Sequence, residues 1–408
     1  MKFKDSPLGK IPMDWDVVKL EDVVKFLKGK KPKKLSEEPF EGALPYLTAE
    51  CLRSQGKKTK FADCKDCVLV NDGEILLLWD GSNAGEFFKG FEGVLASTMV
   101  KLVFDEEHIL PNFLFYLLKT KENFLRAQTI GTGIPHVNKS VINALKLPLP
   151  PLEEQKEIAK ILQDFDNTIQ KTNKTIKATE KLKKGLIQKL LTKGILHREL
   201  KDSPVGKIPE NWEIVRLGDV AEVRKNKNLG SFEEVAFISM ENVHISSMFA
   251  DYEIRNKSEC KSFVYCEPGD LLLAKITPSF ENGKQGFVPP NVPGSFALAT
   301  TEVYPLVCTN IHPHFLFYIL KYYKFRKKLE FSMRGSTGRQ RVPKDALIKL
   351  KIPLPSLKEQ KEIAKILQDI DRKLELLKER KAKLENIKKG LMHELLTGER
   401  RVKVEGSS

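Results

Sequence analysis

Long apolar runs are missing from this 408-residue chain. A run such as Ile75 to Trp79 falls far short of the ~20 residues a membrane-spanning helix needs. The opening Met-Lys-Phe-Lys-Asp-Ser-Pro carries no apolar core, so no secretory leader is expected. Cysteine is also scarce: Cys51, Cys64, Cys67, Cys260, Cys266 and Cys308 are the whole set. That argues against a disulfide scaffold and for a reducing compartment. These absences together predict a cytoplasmic protein.

Catalytic signatures are missing too. There is no Gly-x4-Gly-Lys-Ser/Thr phosphate loop, no strand-to-helix Gly-x-Gly-x-x-Gly, no Gly-x-Ser-x-Gly and no His-Glu-x-x-His. The Asn/Asp-Pro-Pro-aromatic motif of amino-methyltransferases does not occur either. A self-contained nuclease or methyltransferase therefore has no motif to stand on. Cys64-Lys-Asp-Cys67, with Cys51 nearby, has the spacing of half a zinc site. No second close pair completes four ligands, and Cys67 aligns with Phe263 in the repeat described below, so no metal is expected. No cofactor is expected in this chain.

What the chain does have is an internal repeat, the first thing to seek in a sequence of this length. Lys4-Asp-Ser-Pro-Leu-Gly-Lys-Ile-Pro-Met-Asp-Trp15 returns as Lys201-Asp-Ser-Pro-Val-Gly-Lys-Ile-Pro-Glu-Asn-Trp212. The stretch Pro148 to Asp166 returns as Pro353 to Asp371, and Lys183-Lys-Gly-Leu186 as Lys388-Lys-Gly-Leu391. Fainter echoes lie between: Phe113 to Lys119 with Phe315 to Lys321, and Asp72-Gly to Leu78 with Pro268-Gly to Ala274. The ends of the two copies are nearly identical and the middles have diverged. That is one scaffold carrying two different surfaces.

Each copy begins with a mixed module. Val17 to Leu20 and Ile214 to Leu217 alternate as short strands. Asp72-Gly73 and Pro268-Gly269 are turns before buried strands at Glu74 to Trp79 and Asp270 to Ala274. Helical spacing runs from Phe113 to Leu125 and from Phe315 to Leu329.

A long helix follows in each copy. Prolines at 148, 150 and 151, then Glu153, Glu154 and Gln155, mark its start, and Gly194 and Gly398 mark the stops. A four-three rhythm of apolar residues predicts a pairing seam: Ile158, Leu162, Phe165, Ile169 and Ile176, then Ile363, Leu367, Ile370, Leu374, Leu377 and Leu384. A polar helix of ~40 residues, ~60 Å long, needs a partner for its single apolar stripe, and the other copy supplies one. The expected fold is α+β. Two mixed α/β globular domains are separated by two long helices in an antiparallel intramolecular coiled coil, with pseudo-two-fold symmetry. The expected segments are 1–150, a first domain; 151–200, a spacer helix and linker; 201–352, a second domain; 353–400, a second spacer helix; and 401–408, a tail.

The formal charge of +15 suggests an acidic partner. Residues 1–150 carry 22 basic and 20 acidic groups, so the first module is only mildly basic and the helices hold much of the surplus. The argument for nucleic acid therefore rests on loops. The first copy offers Lys30, Lys31, Lys33 and Lys34, then Arg53, Lys57 and Lys58, then Ser82 and Asn83, then Thr132, His136, Asn138 and Lys139. The second offers Arg224, Lys225 and Lys227, then Thr277, Ser279 and Lys284, then Arg334, Ser336, Thr337, Arg339, Gln340, Arg341 and Lys344. Lys and Arg would hold phosphates, while Arg, Asn and Gln can form the paired hydrogen bonds that distinguish base edges. The loops around 79–85, 131–139, 277–285 and 334–341 are expected to approach DNA. The competing reading is a coiled-coil scaffolding adaptor with two protein-binding heads, which does not require two diverged loop sets.

The Pro-Leu-Pro-Pro-Leu-Glu-Glu-Gln-Lys-Glu-Ile-Ala stretch at 148–159 and its copy at 353–364 carry a family resemblance. So do the Gly-Lys-Ile-Pro-x-x-Trp openings and the Lys-Lys-Gly-Leu tails. The chain resembles, over essentially its whole length, the DNA-specificity subunit of type I restriction-modification systems. That resemblance implies a non-catalytic subunit that recognises a bipartite double-stranded DNA site. Each globular domain would read one half-site, and the helices would fix the spacing and dock modification subunits. It also implies two adenine-methyltransferase subunits and restriction/translocase subunits as partners, with S-adenosylmethionine, ATP and Mg on those partners.

Overall fold

The computed structural model describes residues 2–131, 133–227, 233–336 and 338–403. The chain forms two compact units. The first comprises 1–174 together with 379–408, and the second comprises 175–378. Each unit therefore contains one module and segments of both long helices, Leu152–Lys193 and Leu357–Thr397.

The first unit is built on two sheets. One is antiparallel, in the order Phe87–Lys89, Ile75–Leu78, Met99–Phe104, Val24–Lys28. The expected strand at Glu74 to Trp79 is there, buried throughout at Ile75–Leu78, as its unbroken apolar run requires. The other sheet has five short strands and includes the parallel pair Leu44–Leu47 and Gly93–Leu95. Asp16–Lys19 pairs with Lys146–Leu149, which ties the start of the module to the strand that leads into the long helix.

The second unit repeats this plan within itself. Its antiparallel sheet runs Gln285–Phe287, Leu271–Ala274, Val303–Cys308, Ala221–Val223. A four-stranded sheet contains the parallel pair Glu234–Ile238 and Ala297–Ala299. Glu213–Arg216 pairs with Lys351–Leu354.

One expectation is corrected. The helical spacing over 113–125 and 315–329 does not make single helices. Pro111–Lys119 is followed by a separate Glu122–Ala127, and Pro313–Lys321 by Tyr323–Phe331. In the second unit Tyr322 breaks the helix with extended backbone, φ −69° and ψ 127°. The break lets the next helix turn back and pack Phe325 and Leu329 into the same core.

The helical segments run in opposite chain directions within each unit. In the first, Ile158, Ala159 and Leu162 share a core with Leu395 and Leu396, while Asp166 pairs with Lys388. In the second, Glu359 lies at the Ile195 amide and Asp371 pairs with Lys183. Ile158, Leu162, Ile363 and Leu367 are buried in the module cores themselves. Ile176 and Leu374 are buried farther along, and Phe165, Ile169, Ile370, Leu377 and Leu384 are half-buried. The helix start is thus both the end of a module core and the beginning of a seam.

Helix ends fall at the expected glycines. Gly194 and Gly398 follow the last helical residues with φ of +65° and +77°, a conformation that costs glycine no Cβ clash. Both sit against the repeated tryptophan. A Cβ on Gly194 would lie 2.8 Å from the Trp212 ring, and one on Gly398 3.2 Å from the Trp15 ring.

Candidate nucleic-acid interface

The loops singled out from sequence meet at the end of an interior strand of the antiparallel sheet in each unit. In the first unit, residues 79–86 leave the strand Ile75–Leu78, and a hairpin closed by Ile130 and His136 folds against them. Three backbone bonds stitch the site. Trp79 N–H donates to Thr98 O at 2.9 Å, Val137 N–H to Trp79 O at 2.9 Å, and Gly81 N–H to Pro135 O at 2.8 Å. The second unit uses the same three bonds. Lys275 N–H donates to Glu302 O at 2.9 Å, Val342 N–H to Lys275 O at 2.8 Å, and Thr277 N–H to Gln340 O at 3.0 Å. Its hairpin is closed by Arg334 and Arg341. Backbone bonds do not depend on side-chain identity, so the frame persists while the side chains diverge.

Both hairpins begin with a glycine in a backbone region that L side chains avoid: Gly131 at φ +107° and Gly335 at φ +134°. Each also packs against the returning arm. A Cβ would meet Ile134 O at 2.7 Å in one hairpin and Arg339 O at 2.5 Å in the other. Glycine is therefore required twice over at each position.

The two edges differ in charge. The second hairpin presents Arg334, Arg339 and Arg341, all exposed and none paired with an acid among the described residues. Behind them Lys275 lies over the Tyr304 ring at 4.5 Å. Burial, and next the Arg341 guanidinium, hold the Lys275 ammonium below its ordinary range. The first hairpin carries no ionisable side chain before His136, and its described tip residue Ile134 is 69% exposed. Lys28, at the end of the strand Val24–Lys28, pairs with Asp80 at 2.9 Å, and Phe26 packs on Trp79.

The remaining expected residues divide by their partners. Lys30, Lys31, Lys57, Lys139, Lys225 and Lys344 are exposed with no acid partner among the described residues. Lys139 and Lys344 open equivalent short helices, Lys139–Asn143 and Lys344–Ile348. Ser82 and Ser336 are exposed beside the hairpins, and Asn83 is half-buried. Other candidates are engaged internally. Arg53 is held by Glu86 and Lys33 by Asp66, while Lys58 is held by Glu50. Lys34 lies over the Phe40 ring. Arg224 binds Asp270 and Glu267, and Lys227 binds Glu267. The hydrogen bond to Asp270 raises the Arg224 pKa above its ordinary value. Asn138 caps its helix by accepting from Ser140 N–H, and His136 Nδ1 lies 3.1 Å from Ile134 O. Thr277 donates to Glu281, Ser279 is buried, and Lys284 donates to Met240 O. Thr132 and Thr337 lie outside the described residues.

Sequence reasoning missed the residues that hold these loops in place. Arg326 is buried and donates to Gln285 Oε1 at 2.7 Å, to Leu320 O at 3.2 Å and to Phe280 O. It fixes the end of the 275–284 loop. In the first unit Glu122 accepts from Phe87 N–H at 2.7 Å, and Lys119 donates to Phe87 O at 3.2 Å. The two solutions share no side chain, so comparing the copies could not reveal them. Among the described residues no group of three His, Cys, Asp or Glu side chains could hold a metal ion. No described helix is long and apolar enough to cross a membrane.

Comparison with known proteins places this arrangement. The type I restriction modification DNA specificity domain matches twice, over residues 12–181 and 209–386. The type I restriction enzyme MjaVIII specificity subunit of Methanocaldococcus jannaschii is 40% identical over 411 residues, covering 98% of this chain and 96% of that protein. The putative MjaX specificity subunit of the same organism is 31% identical, covering 98% and 97%. The crystal structure of the type I restriction-modification system S subunit from M. genitalium shares the fold with a TM-score of 0.60 at 17% identity, covering 96% of this chain and 99% of that one. With the duplicated frame and its two diverged loop edges, these matches show that the chain belongs to the type I restriction-modification DNA specificity family.

Proposed function

We propose that this chain selects the DNA site for a type I restriction-modification complex. Each unit reads one short half-site of a bipartite sequence through its loop edge. The long helices set the length of the unread gap and dock two adenine-methyltransferase subunits, and restriction/translocase subunits join through the complex. The chain is the recognition component and not the catalyst. Methyl transfer from S-adenosylmethionine and ATP- and Mg-dependent restriction belong to the partners.

One observation carries this reading. Two loop edges are held by the same three backbone bonds, yet one presents three arginines with no acid partner among the described residues and the other an apolar tip. A scaffold that must present two different specificities needs an invariant frame and free side chains. Lysines beside the hairpins with no acid partner among the described residues supply phosphate contacts, which set register without carrying sequence information.

The test is reconstitution with adenine-methyltransferase subunits and S-adenosylmethionine, followed by mapping of methylated adenines. The expected result is a single split motif, with no methylation by the chain alone. Deleting matched whole turns from both helices should change the gap and leave the bases unchanged. Methylation by the purified chain, or no DNA binding at any salt concentration with partners present, would overturn the reading.

A further inference from the structure

The two hairpins occupy equivalent places with different chemistry, and the difference is specific enough to name what each reads. We propose that the hairpin of the second unit reads guanine through Arg339, while the hairpin of the first unit reads a thymine methyl group through Ile134. This rests on the DNA-specificity reading above and deepens it.

Arg339 differs from the other two arginines in position. Arg334 and Arg341 stand at the base of the hairpin, where each bonds the other's backbone: Arg334 N–H to Arg341 O at 2.9 Å and Arg341 N–H to Arg334 O at 2.8 Å. Arg339 belongs to the turn, where its N–H donates to Ser336 O at 2.9 Å. Its carbonyl packs against Gly335, and the Gln340 carbonyl is held by Thr277 N–H. The backbone around Arg339 is thus fixed on both sides, while its guanidinium is exposed and unpaired among the described residues. A preorganised turn with a free planar fork suits bidentate contact to guanine O6 and N7, the commonest specific contact in the major groove. The arginines at the hairpin base suit phosphates flanking the read base.

The first hairpin offers no such donor. Ile130 and Ile134 are both exposed large apolar residues, and Gly133 and Pro135 flank Ile134. The Pro135 carbonyl is fixed by Gly81 N–H, so this turn is anchored as well. An apolar side chain on a fixed turn can distinguish a base pair in the major groove by contact with the C5-methyl of thymine. The half-sites should therefore differ in kind, one containing a required guanine and the other a required thymine.

The experiment uses the full chain assembled with methyltransferase subunits, comparing Arg339→Ala, Arg339→Lys and Ile134→Ala with wild type. Thermal melting of each variant checks that the unit remains folded. Methylome mapping should show one guanine position relaxed in one half-site for both Arg339 variants, by roughly 5- to 150-fold, with the other half-site intact. The lysine variant separates the possibilities, because it keeps the charge but loses the fork. A wild-type motif with Arg339→Lys would make Arg339 a phosphate contact and overturn the assignment. For Ile134, replacing thymine by deoxyuridine at each position of the other half-site should weaken wild-type binding about 4-fold at one position. The same replacement should have no further effect on Ile134→Ala. Equal sensitivity of both proteins to the missing methyl group would overturn that half. A wild-type complex with no split motif would instead defeat the underlying function, a result distinct from either of these.

Discussion

His197 Nε2 lies 2.8 Å from Glu359 Oε1, at the head of the second long helix and within the second unit. The same carboxylate accepts from Trp212 Nε1–H at 3.0 Å and from Ile195 N–H at 3.0 Å. In the first unit the equivalent carboxylate, Glu154, accepts from Trp15 Nε1–H at 2.8 Å, and Arg401 takes the place of His197. Each histidine or arginine follows a helix-ending glycine by three residues. The repeat has kept the tryptophan and the acid and changed the third partner. Arg401 makes the firmer clamp, because it also grips Asp14 with two bonds of 2.8 Å.

Arg401→Ala should therefore destabilise the first unit by about 2–3 kcal/mol, since among the described residues it leaves the buried Glu154 carboxylate with only its indole partner. The clamp also has a pH signature. The hydrogen bond from Arg401 lowers the Asp14 pKa below its ordinary 3.8. A depressed folded pKa gives stability that is present above the unfolded value and is lost as pH falls through the folded one. Urea melts of wild type should thus weaken below pH 3.8 more steeply than those of Arg401→Ala. Parallel pH profiles would show that Asp14 contributes nothing.

A second expectation concerns Lys321. Burial pushes its ammonium down to about 8, and the nearby Lys183 and Arg326 act in the same direction. The unfolded chain binds the proton more tightly than the folded one, so stability rises as pH increases from about 8 toward the ordinary 10.5. Lys321→Met removes the group. The difference in unfolding free energy between wild type and variant should shift in favour of wild type across that window. A flat difference would count against the assignment.

Gly398→Ala tests the glycine stop. Its φ of +77° and the 2.4 Å approach of an added Cβ to Pro12 should cost about 1–3 kcal/mol, read as a lower melting temperature. Gly390→Ala is the control, because an added Cβ there meets nothing within 4 Å and the site is helical. It should leave stability unchanged or slightly raised.

Phosphate contacts should appear in salt dependence. Lys30→Ala and Lys31→Ala remove exposed ammonium groups with no acid partner among the described residues. Each should lower the slope of log K against log salt by about 1 and weaken binding evenly across sequences. Arg224→Ala should instead act on stability, because Arg224 is bound to Asp270 and Glu267. Binding isotherms at several salt concentrations, set beside thermal melts, separate these outcomes.

Arg224 and Arg339 show where sequence reasoning succeeds and fails. Both lie in polar loop segments and read alike as candidate DNA contacts. Only the fold determines that one has acids from another loop within reach and the other has none among the described residues. Ionic partners such as Glu267 lie far away in the chain, and no local spacing encodes them. The helix break at Tyr322 was hidden for a related reason, since apolar spacing continues across it while the chain turns to fill one core from two directions.

The sequence by itself determined the duplication, the strands before the loop edges, and the long helices with their glycine stops. Periodicity, proline and glycine act locally, and the repeat makes each signal appear twice. Tertiary structure alone decided that each compact unit takes segments of both helices, that Trp15 and Trp212 bond the helix-start acids, and which loop cations have acid partners. Those outcomes depend on burial and on partners brought together by folding. The repeat predicted that the two copies share a frame, and folding determined which side chains that frame leaves exposed.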